Sequence, residues 1–212
     1  MTDDLPCLMY LLAHDDTAAG PYDRPRTELL VRAAALVDLA LRGRLGEADG
    51  TVTVSGTEPT GDPVLDGVLR DAAGGHSWKH LVRRHRERTL TEVEDRLAAA
   101  GLLAVKEPRT RFGTRRLTVT DPAVPAALHA RVSAALHGDA PVREIPATDA
   151  ALLALAAAGG IRSVVSRQDR KTFRTRIDAC TAVLATLAPG LEKAVRALPT
   201  TMIAAQGGMG GS

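Results

Sequence analysis

The sequence predicts a mainly α-helical protein: a hydrophobic central helix surrounded by amphipathic helices, with small β-hairpins. Three observations carry this. Residues 29–45, LLVRAAALVDLALRGRL, place apolar side chains on nearly every face of a helix, and a helix apolar all round is packed by neighbours on several sides. Aromatic residues are 2% of the chain against 45% hydrophobic, so the core is built from Leu, Val and Ala, which suits closely packed helices. The remaining apolar residues mostly recur at helical spacing between Gly and Pro breaks, whereas the strand-like runs are short.

Taken in order, residues 5–13 form a continuous apolar run, short enough for a buried strand or a first helical turn, ended by His14-Asp15-Asp16. Residues 17–26 read as a loop, with Thr27 as N-cap of the central helix and Glu28 in its first turn. Gly43 gives that helix a place to stop, and Arg42 and Arg44 sit near its negative end. It carries too many charges and too few apolar residues to span a bilayer, which takes roughly 20 apolar residues. Arg32 inside this run is costly unless it meets an anion. The partner is either an oxyanion from outside the chain or a nearby carboxylate within it, and the sequence leaves both open.

Residues 47–50 read as a turn and 51–54 as a short strand. Asp62 caps a helix over 64–73 with Pro63 at its first position, and Gly74-Gly75 breaks it. Ser77 caps the next helix, which carries Trp78, Leu81 and Val82. Thr89 or Thr91 restarts it, with Leu90, Val93 and Leu97 on one face and Gly101 at its end. Strands at 102–105 and 116–119 flank a basic loop containing Arg109, Arg111 and Phe112. Helix, turn, helix and basic hairpin together have the outline of a winged helix. A further helix begins at Asp121-Pro122 and buries Leu128, Val132, Ala135 and Leu136. After a linker over 138–146 comes a short helix at 150–158. Ser166 then caps a longer one striped by Phe173, Ile177, Cys180, Leu184 and Leu187. Leu191, Val195 and Leu198 mark the last helix, and 206–212, QGGMGGS, reads as a disordered tail.

The net charge of +2 hides an asymmetry. Residues 1–75 hold 6 Lys/Arg against 13 Asp/Glu, a net −7, whereas 76–116 hold 11 against 5, a net +6, with three histidines besides. A basic middle in a nearly neutral chain points to a local anionic partner, or to a solvated face that pairs with the acidic first third. Cys7 and Cys180 stand far apart without CxxC spacing and read as two reduced, buried thiols. The N-terminus lacks the basic region of a signal peptide. No phosphate-binding GxxxxGK[ST], dinucleotide GxGxxG, GxSxG or HExxH occurs. His76 and His80 stand one helical turn apart, but nothing nearby supplies further zinc ligands at a recognised spacing. The expectation is therefore no enzyme, no catalytic residue, no metal and no cofactor.

Two stretches go beyond composition: LALRGRL at 39–45, and Pro59-Thr60-Gly61-Asp62 followed by Leu65-Asp66. With Arg96-Leu97, Gly101-Leu102-Leu103 and the segment ALLALAAAGGIRSVVSRQDRK, they make the chain resemble the Golgi phosphoprotein family and its bacterial relatives over about residues 5–205. The resemblance implies a single helical domain over 1–205. It also implies peripheral membrane binding through a basic pocket that holds the phosphate of phosphatidylinositol 4-phosphate or another anionic phospholipid headgroup. In the family a phosphate-binding arginine lies on the central helix ten residues before the arginine of LALRGRL, which here is Arg32. The family's loop tryptophan is replaced by Tyr22 as interfacial anchor. Its arginine pair, counted back from Gly101, falls on Glu87 and Leu90, with Arg86 and Arg88 beside them. The expected lipid-phosphate residues are thus Arg32, Arg86, Arg88 and Tyr22, in a cytoplasmic, peripherally membrane-associated protein. A homo-oligomer through the 102–119 hairpin is the further partner that the resemblance suggests. Nucleic-acid binding through 78–119 is the alternative. It ranks behind because TEVEDRLAAAG, the would-be recognition helix, places three acids before its only arginine.

Overall fold

The computed structural model describes residues 4–15, 20–21, 23–56, 58–106 and 115–207. Among them eleven α-helices and three two-stranded antiparallel sheets are present, so the chain is mainly α with small hairpins. At the centre lies α2 (Arg24–Leu41), which is buried from Thr27 through Ala40. Around it pack α1 (Leu5–Leu12), α3 (Pro63–Ala72), α4 (Trp78–Arg83), α5 (Arg86–Ala99), α7 (Ala147–Gly159) and α11 (Leu198–Gly207). An outer layer of α6 (Ala123–His137), α9 (Arg174–Val183) and α10 (Pro189–Arg196) covers α7. The short α8 (Arg167–Thr172) leads into α9.

The central helix begins earlier than its apolar pattern suggests. Asp23, not Thr27, is the cap: its side chain accepts from the Arg26 backbone N–H at 3.1 Å, and Pro25 occupies the first turn. Proline is preorganised there, because its missing N–H has no helical partner to lose. The second charged residue of the run, Asp38, also has an internal role. Its Oδ2 accepts from the Leu5 backbone N–H at 2.8 Å, holding the start of α1, while its Oδ1 takes the Arg42 guanidinium one turn on. Glu94 of α5 is buried and accepts both Arg24 nitrogens, at 2.7 and 3.0 Å. Such a bidentate pair is what makes a buried carboxylate tolerable. Arg96 bridges Asp4 and Asp62, tying the starts of α1 and α3 to the end of α5.

Several boundaries differ from the sequence reading. The first apolar run is the helix α1, and its eight residues are all buried. Residues 45–48 form a strand, β3 (Leu45–Ala48), that pairs with β4 (Thr51–Val54). Asp49 and Gly50 both have positive φ, 51° and 75°, as a two-residue hairpin turn of right-handed twist requires. β1 (His14–Asp15) pairs with β2 (Gly20–Pro21), and β5 (Leu103–Lys106) with β6 (Arg116–Val119). α7 starts at Ala147 behind Pro146, without a side-chain cap, and is buried from Asp149 through Ala157. The single long helix expected after Ser166 is interrupted. A capping box of Ser166 and Asp169 opens α8, the chain bends at Phe173, and α9 restarts at Arg174. The expected tail began at residue 206, but α11 runs through Gly207. Residues 208–212 lie outside the described residues. Both cysteines are free and buried, as expected.

The crossing of α7 over α2 depends on Gly159. A Cβ there would lie 2.5 Å from Leu30 Cδ1 and 2.7 Å from its Cδ2, and Leu30 is fully enclosed. Gly159→Val should therefore lower the unfolding free energy by about 1–3 kcal/mol, the usual cost of overpacking, as read by urea denaturation.

Candidate anion-binding site

Arg32 sits in the middle of α2 with no exposed surface. Each of its three nitrogens has an internal acceptor. Nε donates to the Leu81 carbonyl at 3.0 Å, Nη1 to Thr89 Oγ1 at 3.0 Å, and Nη2 to Asp71 Oδ2 at 2.9 Å. Leu81 lies in the last turn of α4, where carbonyls lack a helical partner. Burial pushes the Arg32 guanidinium below the ordinary arginine range, and the Asp71 carboxylate opposes that shift. Of the two partners the sequence left open, the structure supplies the internal carboxylate. That is a correction to the expectation of a phosphate at this guanidinium: in this arrangement Arg32 does not reach the surface.

Asp71 carries the charge outward. Its Oδ2 also accepts from Arg88 Nη2 at 2.9 Å, and its Oδ1 lies 3.7 Å from His85 Nε2. Arg88 reaches Glu92 at 3.5 Å as well. Arg86 pairs through Nε with Glu28 Oε2 at 3.2 Å. Burial first, and then the neighbouring Glu87, raise the Glu28 carboxyl, while Arg86 opposes them. His85 stands between α4 and α5 with φ of 53°, an uncommon conformation for a residue with a side chain. Thr89 holds that kink, since both its backbone N–H and its hydroxyl donate to the His85 carbonyl, at 3.0 and 3.1 Å. The same hydroxyl oxygen accepts from Arg32.

The kink turns Arg83, His85, Arg86, Glu87 and Arg88 around an open depression of about 490 Å³. So Arg86 and Arg88 are brought together, and Arg88 shares Asp71 Oδ2 with the buried Arg32. Sequence reasoning missed Arg83 and His85, which line the same depression, and Asp71 beneath it. The apolar residues Trp78, Leu81 and Val82 turn α4 inward and leave Lys79, His80, Arg83 and Arg84 exposed. Among the described residues, Lys79, Arg83 and Arg84 pair with no carboxylate; Arg84 Nη1 lies 3.4 Å from His76 Nε2. The His76 and His80 rings lie 4.3 Å apart. Slight desolvation at the surface, His76 and Arg84 hold the His80 imidazole below its ordinary value. No group of three or more His, Cys, Asp or Glu residues that could hold a metal occurs among the described residues.

Other expected residues lie elsewhere. Tyr22, Arg109, Arg111 and Phe112 fall outside the described residues, as does the 107–114 portion of the hairpin proposed for self-association. Arg115 pairs with Asp95 at 2.9 Å. The would-be recognition helix, α5, buries Thr89, Leu90, Val93, Glu94 and Leu97 against the core and exposes Glu87, Arg88, Thr91, Asp95 and Ala99. That outward face carries two acids against one arginine, a poor match to a polyanion. No helix of the described residues is long and apolar enough to cross a membrane.

Fold and site together define a helical protein with a buried ionic clamp under a cationic face. The family model for Golgi phosphoprotein 3 (GPP34) matches residues 5–198, and the chain belongs to that family. A comparison with curated proteins finds no match.

Thr89→Val keeps the shape of the side chain but removes the acceptor of Arg32 Nη1. It should cost about 1–3 kcal/mol, the penalty for a buried donor left unpaired, measured by equilibrium denaturation.

Proposed function

We propose that this chain is a peripheral membrane protein that docks anionic phospholipid headgroups on the α4–α5 basic face. Family membership supports a lipid-associated role, and one observation carries the reading to this surface. Lys79, Arg83 and Arg84 project outward beside the depression without a described carboxylate partner. Each cation near an anionic leaflet contributes about 1 kcal/mol of attraction. At the depression, Arg86 and Arg88 are each held by a carboxylate, and a phosphate can exchange with these pairs through charge-assisted hydrogen bonds. Arg32 acts from below, by fixing the Asp71 carboxylate that orients Arg88. The depression suits a phosphorylated headgroup such as that of phosphatidylinositol 4-phosphate. The protein would then sit on a cytoplasmic membrane surface, bound through headgroups and not by a spanning helix.

Liposome co-sedimentation tests this with vesicles of phosphatidylcholine alone, with phosphatidylserine, and with phosphatidylinositol 4-phosphate. The protein should pellet with the anionic vesicles and be released by salt, as screening shortens the reach of exposed charges. The triple variant Lys79→Glu, Arg83→Glu, Arg84→Glu should stay in the supernatant while keeping its fold. Equal pelleting of variant and wild type would contradict the assignment. Retention of duplex DNA at physiological salt by the wild type, without vesicle binding, would favour the nucleic-acid reading instead.

A further inference from the structure

The outward side of α4 gathers groups that gain or carry positive charge. His80 and Arg84 stand four residues apart, and His76, just before the Ser77 cap, reaches both. The His76 and His80 rings lie 4.3 Å apart, 30° from parallel. Arg84 Nη1 lies 3.4 Å from His76 Nε2, a nitrogen that accepts an N–H only while it carries no proton of its own. Lys79 and Arg83 stand beside His80, and all three are exposed. Around them, the carboxylates of the neighbouring elements are committed elsewhere. Glu47 of β3 accepts from Trp78 Nε1 at 3.1 Å and from the Gly190 backbone N–H at 2.6 Å. On α10, Glu192 pairs with Arg196, and Lys193 next to it is a further exposed cation. On α3, Asp71 holds Arg32 and Arg88 and faces His85, so a proton taken up at His85 is offset within the protein. Glu87 of α5 bears on Glu28, and Arg32 of α2 is taken by the Leu81 carbonyl. The charges that act on the His80 imidazole are those of His76 and Arg84, both basic, and they hold it below its ordinary value.

A proton on either ring therefore finds no described carboxylate to compensate it, whereas an anionic surface supplies that compensation. The coupling is reciprocal: a surface that favours the protonated rings is itself bound more tightly when the rings are protonated. Histidine is the side chain whose ordinary charge change falls between about pH 5 and 8. We propose that His76, His80 and Arg84 form a proton-operated switch on the α4–α5 face, which tightens attachment to an anionic membrane as pH falls. With both rings neutral, Arg84 is tethered at His76 Nε2. Proton uptake at that nitrogen ends the hydrogen bond and frees the Arg84 guanidinium. With His80 also protonated, two charges are added to a face that already carries Lys79 and Arg83. The inference rests on the membrane reading given above and adds its regulation.

Co-sedimentation of the full chain with phosphatidylcholine vesicles containing phosphatidylglycerol tests this, at about pH 7.5 and about pH 5 and at constant ionic strength. The phosphodiester of phosphatidylglycerol stays ionised at both, so a change in binding comes from the protein. Each charge gained near the leaflet is worth about fivefold in affinity, so binding should tighten about tenfold or more at the lower pH. The double variant His76→Gln, His80→Gln removes both titrations and keeps the polarity, and should cut that ratio to about twofold. Binding of equal strength at the two pH values would overturn the switch and leave the membrane reading standing, as would a folded double variant with an undiminished ratio. No pelleting at either pH would overturn both. Histidine-ring and arginine Nε–H NMR of the free chain needs no membrane and serves if the variant does not fold. His80 should titrate below the ordinary histidine value, and the Arg84 signal should move in step with His76. An Arg84 signal indifferent to the His76 titration would overturn the switch, as would a His80 midpoint above the ordinary value.

Discussion

The ion pair between Arg32 and Asp71 is the constraint on which the rest of the molecule depends. A guanidinium in the middle of a helix packed on every side would be intolerable unpaired, and removing one partner of a buried pair typically costs several kcal/mol. Here one side chain joins four helices: it stands on α2, meets Asp71 of α3, donates to the Leu81 carbonyl at the end of α4, and meets Thr89 of α5. Because Thr89 also holds the His85 carbonyl, the clamp fixes the sharp change of direction between α4 and α5. That change of direction fans the surface arginines around one depression. A buried electrostatic contact thus sets the geometry of an exposed one.

Charge is layered around this clamp. Glu28 and Asp71 lie beneath the surface, while Arg86 and Arg88 lie above them, and Lys79, Arg83 and Arg84 form the outermost shell. The inner carboxylates keep the arginines ordered and lower the local positive charge. The outer pairs are weakly held: Arg88 and Glu92 are both substantially exposed, and such pairs are worth about 0–1 kcal/mol. Giving up the Arg88–Glu92 contact therefore sacrifices little. In the proposed membrane role the unpaired outer cations would provide attraction at a distance, and the depression direct contacts. This division of labour suits a protein that associates reversibly with an anionic surface.

Much of this architecture is legible in the sequence where the cause is local. Asp62-Pro63, Ser77 and Gly101 mark helix ends through chemistry contained in a few residues, and each acts as read. The all-round apolar pattern of α2 identifies it as central, and Arg32 stands out within it. What could not be read is the partner of Arg32, since Asp71 is 39 residues away and nothing local marks it. The start of α5 at Arg86 was hidden for a similar reason: His85 adopts its conformation because Thr89 and the clamp hold it, not through any turn preference of its own. The missed strand at Leu45–Ala48 carries only one strongly apolar residue, so its pairing with β4 comes from the Asp49-Gly50 turn. Asp23 was passed over as a cap because the apolar pattern of α2 begins a full turn later.

Arg32 is an internal clamp, and in the proposed role anions are met above it, at Arg86 and Arg88. Nitrogen-15 NMR of the arginine Nε–H groups tests this most directly, in the free protein and during titration with nanodiscs containing phosphatidylinositol 4-phosphate. The Arg32 Nε–H, bound to the Leu81 carbonyl, should exchange slowly with water and hold its position, while the Arg86 and Arg88 signals shift. Rapid exchange at Arg32, or a shift there larger than at Arg86 and Arg88, would contradict it.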